Sequence, residues 1–551
     1  MWLSRVSVLA VVVAALSCGS SQPTARKPAW VAPAILAQVP ADSPYVFATL
    51  QPLEDKLRRR MFGAASRSLD ELVKTTSGLT PDERANLGPA MRAVLALAED
   101  LRGKDLTTWW RELGFDPSGR FVVYGLSVWP VARIEIADPA RLRAVIERAL
   151  TAAGVKPTRA TLAGRAYWSL GTDKVTAIAA VLDREAVVAL VPTPALATAL
   201  PLILGTQQPA HPIGSTTTVT DLLARNHFID LMIGYLDLRS VLAVMTGPTP
   251  TPLDAPLRAQ AGPIAPACRA DLERLVSALP RIAFGYRRFD EAGFDGRIVF
   301  ETLPGVTSAL KRVRASVPEV AVPVAGHPLF AMGVAVKPDE LIAALRSLTG
   351  ELHAHPFTCP WFDGVNRAST ELAGKLASPL PPMLRGVRGF AMMVDNLTIQ
   401  PFDVEGHVLI ASDHAPDLLS SLTAMVPGMP SLPVKPDGRP VEIPTQQLHL
   451  PVRSAHIAMA SDRIVIAAGP ASAQRATAHL ASRAPASSPL GLMAFDMPRL
   501  QALLAAIGSK DTARLDYVGD MGMSFDVDDD GLGFAVWGTW QDPAAPAAIA
   551  K

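Results

Sequence analysis

Three stretches of the chain carry residue types that could do chemistry. DVDDDG (526–531) sets Asp526, Asp528 and Asp530 at alternate positions ahead of Gly531, which is how a calcium loop opens. The twelfth position is Trp537, which has no carboxylate, and the segment reads as the middle of a hairpin; a solvated acidic β-turn is therefore preferred over a weak, extracellular-type calcium site. HAHPFTC (353–359) groups His353, His355 and Cys359, a soft nitrogen and sulfur set for zinc with Asp363 nearby. No fourth ligand follows at a recognisable spacing, so loop histidines beside a structural cysteine are expected there. SALK (308–311) has the Ser-x-x-Lys spacing in which a lysine one turn away activates a helix-borne serine. Its companions are missing, since there is no Lys-Thr-Gly and residues 412–414 read SDH, so helical coincidence accounts for it.

No Gly-x-Ser-x-Gly elbow, His-Glu-x-x-His pair, phosphate-binding loop or dinucleotide fingerprint occurs. The expectation is a protein that is not an enzyme, with no cofactor and no metal. Two aromatic spots, Trp109-Trp110 and Trp361-Phe362, are the places to look for an apolar pocket, although core packing is the default use of such residues. With 52 Lys and Arg against 51 Asp and Glu, the chain offers no surface suited to nucleic acid. Its 551 residues, 49% of them hydrophobic and 19% charged, are enough for two to four domains with proper cores.

The cysteines are three: Cys18, Cys268 and Cys359. Residues 1–17 have the layout of a signal peptide, with Arg5, an apolar stretch from Val6 to Leu16 and small residues around Ser17. That stretch is too short to span a bilayer, which takes about 20 residues. AALSCG (14–19) resembles the lipobox of bacterial lipoproteins, in which the cysteine is acylated and becomes the first residue after cleavage. Ala15 and Leu16 depart from the usual residues, making the match permissive. The resemblance implies membrane attachment through Cys18, and the absence of Asp at residue 19 implies the outer membrane of a Gram-negative envelope. It covers only about the first twenty residues and implies no activity. Residues 18–40 would form a polar, lipidated tether. Export would place Cys268 and Cys359 in an oxidising compartment, where either a disulfide between them or two free buried thiols is open.

The elements that must position any site are laid out twice. YVFATLQPLEDKL (45–57) and LFAMGVAVKPDELIAAL (329–345) each run from strand to helix. Residues 119–154 and 388–428 each read strand, strand, capping Asp, amphipathic helix. In the first, Asp138 caps, Pro139 opens the helix, and Leu142, Val145, Ile146 and Ala149 recur at helical spacing; in the second, Leu418, Leu419, Leu422 and Met425 follow Asp413. Residues 164–204 match 446–482, with tight turns at LDREA and ASDRI; 228–245 match 489–507; and each half closes on a long hairpin.

The fold expected is α+β: two duplicated modules of largely antiparallel sheet with helices on one face. Their expected bounds are 41–315 and 329–541, with a linker at 316–328 and a tail at 542–551. This layout resembles large, uncharacterised, repeat-built bacterial envelope lipoproteins. The expected role is binding or structural, with an envelope protein, glycan or lipid as partner in the cleft between modules. The alternatives are an exported hydrolase-like or metal-dependent enzyme with a site built from scattered residues, and a carrier of apolar ligands.

Overall fold

The structure is a computed structural model that describes residues 30–541, except 53, 323, 325, 426–431, 509–517 and, within 59–103, all but 80, 82, 86, 92 and 95–97. Helices and strands are mixed along the chain, and the strands build antiparallel sheet in each of two units. Unit 1 comprises the residues up to Ile264 together with Leu279–Gly296; unit 2 comprises Ala265–Ala278 and everything from Arg297.

Unit 1 contains β1 (Tyr45–Thr49), β2 (Phe121–Leu126), β3 (Trp129–Glu135), β4 (Thr158–Leu162), β5 (Arg165–Gly171), β6 (Val175–Val181), β7 (Glu185–Pro192), β8 (Met232–Asp237) and β9 (Arg281–Phe289). They pair in the order β4-β5-β6-β7-β3-β2-β1-β8-β9, antiparallel at every step. Alternating burial marks the strands: in β6 Thr176, Ile178 and Ala180 are buried while Val175, Ala177 and Ala179 are half-exposed. The helix Pro139–Ala152 forms as its sequence directs, with the Asp138 carboxylate accepting from the Arg141 N–H at 2.9 Å and Leu142, Val145 and Ala149 buried. β10 (Gly293–Glu301) is divided, its residues from Arg297 onward belonging to unit 2.

Unit 2 contains β11 (Phe330–Val334), β12 (Val387–Ile399), β13 (Phe402–Ser412), β14 (Val441–Glu442), β15 (Ala455–Ala460), β16 (Arg463–Ala468), β17 (Gly491–Asp496), β18 (Val518–Val527) and β19 (Gly531–Trp540). Their order, β14-β15-β16-β13-β12-β11-β17-β18-β19, is again antiparallel at every step. The first strand of each unit thus lies between its second strand and the strand that precedes the closing hairpin. Asp237, the last residue of β8, and Asp496, the last of β17, cap the helices that follow, accepting from the N–H of Ser240 and Arg499. Asp413 does not act this way: its helix begins at Ala415, and its carboxylate pairs with Arg388 at 3.2 Å instead.

The expected boundaries need correcting in three places. The helix Pro266–Ala278 belongs to unit 2, because Cys268 is disulfide-bonded to Cys359, with Cα atoms 4.4 Å apart, and because Asp271 accepts from the N–H groups of Thr358 and Cys359 at 2.6 and 2.7 Å. The segment 316–328 is not a free linker: Val317 and Val320 are fully buried in a core with Ala315, Leu409, Val465 and Leu492. The tether expected to reach residue 40 ends earlier, since Ala34–Gln38 is a 3-10 helix with Ile35 and Leu36 buried. At 316–320 Pro- and Val-rich, helix-averse sequence lies packed in the core of a sheet, which extended composition alone does not distinguish from a solvated connection.

Cys268 and Cys359 close a loop of sequence separation 91, so their bond restricts the unfolded chain strongly. The double variant Cys268→Ala/Cys359→Ala is expected to lower unfolding free energy by about 2–5 kcal/mol, read as a fall in the urea midpoint. Alkylation under denaturing, non-reducing conditions should leave both residues unmodified in the wild type; labelling of either would show that the bond does not form.

Candidate functional site

Among the described residues, one group of three histidine, cysteine or acidic side chains is arranged as a ligand set could be: Glu319, His407 and His479, all in unit 2. Each comes from a different element, and each element has a local reason to be where it is.

Glu319 sits in a tight turn, Val317-Pro318-Glu319-Val320, closed by the Val320 N–H donating to the Val317 carbonyl at 3.3 Å. Proline at the second position and φ of +68° at Glu319 make this a type II pattern, in which the third position normally falls to glycine. A glutamate held in the left-handed region costs on the order of 1 kcal/mol. The turn is nonetheless pinned. Ser488 accepts from the Val317 N–H and donates to the Val317 carbonyl, and Ser316 donates to the Pro485 carbonyl. Gly333 of β11 supplies the seat for Val320: a Cβ there would come within 2.7 Å of the valine side chain.

His407 lies on β13, where Leu409 and Ala411 share its face and are fully buried, so strand alternation turns the imidazole into the core. His479 lies in the last turn of the helix Ser472–Leu480, which buries Ser472 and Ala476. Spacing of three and four residues brings His479 and Leu480 towards the same core.

The three side chains converge closely. His407 Nε2 is 2.6 Å from one carboxylate oxygen of Glu319, and His479 Nδ1 is 2.6 Å from the other. The two imidazole rings stack with centroids 3.6 Å apart and planes inclined by 21°. Side-chain exposure rises from 1% at His407 through 10% at Glu319 to 31% at His479, so the helix side is the open edge. The other ring nitrogen of His407, Nδ1, is buried without a hydrogen-bond partner. Burial pushes the Glu319 carboxyl up, but hydrogen bonds from both histidines and their charges outweigh it and hold the group down at about 2.

The residues singled out from sequence are placed differently. Cys18 lies outside the described residues. In the Asp526, Asp528 and Asp530 turn between β18 and β19, Asp526 pairs with Arg314 at 3.1 Å and Asp528 with Arg297 at 2.5 Å, while Asp528 also accepts from the N–H groups of Asp530 and Gly531. The segment is a hairpin turn, as its sequence led one to expect, but its carboxylates are paired with arginines where a solvated turn was expected. Lys311 contacts Asp529 and is therefore engaged by a carboxylate, away from the role of base to Ser308.

His353 and His355 are exposed at the end of the helix Pro338–Ala354, and the Cys359 sulfur is taken by Cys268, so that zinc set is not assembled. Trp110 stacks on Phe115 at 4.5 Å with Trp109 beside it, a half-buried cluster of unit 1. Phe362 packs on Phe357 at 4.8 Å, whereas Trp361 is 65% exposed.

Sequence reading missed the Glu319 group because Glu319 stands 88 residues from His407 and 160 from His479. The available signals were a lone histidine within the apolar strand GHVLIAS and a Pro-Glu turn, neither of which specifies a partner.

Compared with family models, curated proteins and solved structures, the chain gives no match. Its function has to be argued from its own residues. No helix among the described residues is long and apolar enough to cross a membrane.

A pH dependence follows from the depressed Glu319 carboxyl. Because its folded value lies below the ordinary 4.5, its stabilisation is complete above that pH and is lost as pH falls through about 2. Glu319→Gln keeps the shape and removes the charge. At pH 7 it is expected to cost on the order of 3 kcal/mol in urea unfolding of metal-free protein, and less than half of that at pH 3. An equal cost at both values would show that the charge is not what stabilises the turn.

Proposed function

We propose that the chain is an envelope lipoprotein, held at the outer membrane through acylated Cys18, with a binding or structural role and no catalytic one. The observation that carries this reading is the Cys268–Cys359 disulfide. Disulfides persist in oxidising compartments, and with three cysteines in the chain this pairing leaves Cys18, in its lipobox-like setting, as the thiol for a thioether. Cytosolic proteins seldom keep such a bond, so the disulfide and the signal-like leader support the same compartment from independent residues.

The two units are, in this proposal, copies of one module. Their matching strand orders support it, and so does the register. Met393 of β12 pairs with the second residue of β11 and with His407 of β13, which pairs with the fifth residue of β16. Tyr124 of β2 pairs with the second residue of β1 and with Val131 of β3, which pairs with the fifth residue of β7. A duplicated, anchored body of this kind suits the holding of an envelope protein, glycan or lipid. The scattered-site enzyme and the apolar carrier are the competing outcomes.

Metabolic labelling with radioactive palmitate tests the anchor. Label is expected in the wild-type protein and absent from Cys18→Ala, which should move to the soluble periplasmic fraction. Label in both proteins, or in neither, would overturn the reading.

A further inference from the structure

We propose that Glu319, His407 and His479 form a binding site for a zinc-class divalent cation, held by two imidazole nitrogens and one carboxylate oxygen. The donor chemistry sets the class. Two neutral imidazoles with a single carboxylate suit the borderline first-row cations, whereas calcium and magnesium favour sets made wholly of oxygen.

The geometry is close to what the cation needs. The candidate ligand atoms lie within 4.8 Å of one another. Zinc bonds of about 2.0–2.1 Å in a tetrahedron put ligand atoms about 3.3 Å apart. The present 2.6 Å contacts, one to each carboxylate oxygen, therefore have to widen by about 0.7 Å, and a ligand pair as far apart as 4.8 Å has to close by about 1.5 Å, with the half-exposed His479 on the surface helix able to move first. Binding replaces the two hydrogen bonds at Glu319 with coordinate bonds. The proton on His407 Nε2 leaves for solvent or passes to Nδ1, and the proton on His479 Nδ1 leaves for solvent or passes to Nε2.

Three further observations separate this cluster from an ordinary buried ion pair. The turn puts glutamate at a φ of +68° that glycine would hold without strain, so something other than backbone conformation requires the side chain. The cluster is open at His479, whose side chain is 31% exposed, so it is not sealed from solvent as an ordinary buried ion pair is. Finally, Val131 stands in unit 1 where pairing register puts His407 in unit 2, and it is fully buried. The strand arrangement therefore does not itself need a histidine at that position.

The test uses the full-length protein in detergent, stripped with chelator and dialysed against micromolar zinc chloride, with bound metal counted by mass spectrometry. About one zinc per chain is expected in the wild type and in the double variant His353→Ala/His355→Ala. His479→Ala and Glu319→Gly are expected to bind at least tenfold more weakly. Glycine suits the turn, so Glu319→Gly should keep the wild-type circular dichroism spectrum and melt cooperatively while losing the ligand. Cobalt(II) should give visible d–d absorption in the wild type and none in either of these variants.

Absence of zinc from the wild type, equal uptake by the wild type and both site variants, loss of zinc in the His353/His355 double variant, or stoichiometric calcium or magnesium in its place would each overturn the proposal. Cys18→Ala protein should bind zinc equally, so failure here is distinguishable from failure of the anchor.

Discussion

A carboxylate that is nine-tenths buried has to be compensated, and at Glu319 that constraint organises the surrounding structure. Desolvation works against the charge, and two imidazoles placed on opposite oxygens more than offset it. For both to reach, the turn must present the carboxylate edge between a strand and a helix. That requires the two-way clamp of Ser488 on Val317, the Cβ-free seat at Gly333 for Val320, and the inward alternation of His407 with Leu409. A single displaced element would leave a buried charge without its partner, which explains why residues 316–320 are so firmly held despite looking like a connection. The site and the core of unit 2 are consequently one construction: Val317 and Val320, on either side of Pro318 and Glu319, are core residues themselves.

Unit 1 solves a related problem differently. On β3, two residues beyond Val131, Arg133 is fully buried and its guanidinium reaches Glu185 at 2.7 Å and the carbonyls of Leu202 and Ile203 at 3.0 and 2.6 Å, with the Tyr124 hydroxyl at 3.4 Å. Those carbonyls end the helix Leu196–Ile203, where a cation is electrostatically favoured. The corresponding place on β13 is Leu409, two residues beyond His407. Arg133 on β3 and His407 on β13 thus each lie next to the helix that follows the strand paired with their own, β7 and β16 respectively. The arginine is surrounded by acceptors and reads as structural. The His-Glu-His group keeps an unused nitrogen and an edge open to solvent, and the contrast places any ligand chemistry in unit 2.

Much of the architecture was legible because it depends on local rules. Asp138 with Pro139 and the apolar spacing that follows define a helix start from composition alone, and the tight turns at Asp183-Arg184 and Ser461-Asp462 set strand register on both sides. What escaped was non-local. The same Pro and Val content that marks 316–328 as helix-averse serves equally for a solvated connection and for a turn packed in a core, and only the sheet beneath it decides between them. The acidic run at 526–530 was legible as a hairpin turn but not as a paired one, because the arginines that neutralise it are more than two hundred residues away in the chain. Ligand-like spacing along the sequence counted for little in this protein, while residues with no motif at all converge.

Burial bears on what such a centre would do. A catalytic cation keeps an open coordination position that substrate can reach, whereas a closed site serves stability or holding. Here His407 is sealed, Glu319 nearly so, and access is limited to the His479 edge at the end of a surface helix. A fourth ligand would enter from that edge, which suits water or a single donor from a bound partner better than an extended substrate. A cation held this way would clamp the 317–320 turn, β13 and the helix Ser472–Leu480 together, coupling its occupancy to the stability of unit 2. That coupling agrees with a binding or structural role, and it makes the free concentration of the cation the variable to which unit 2 would respond.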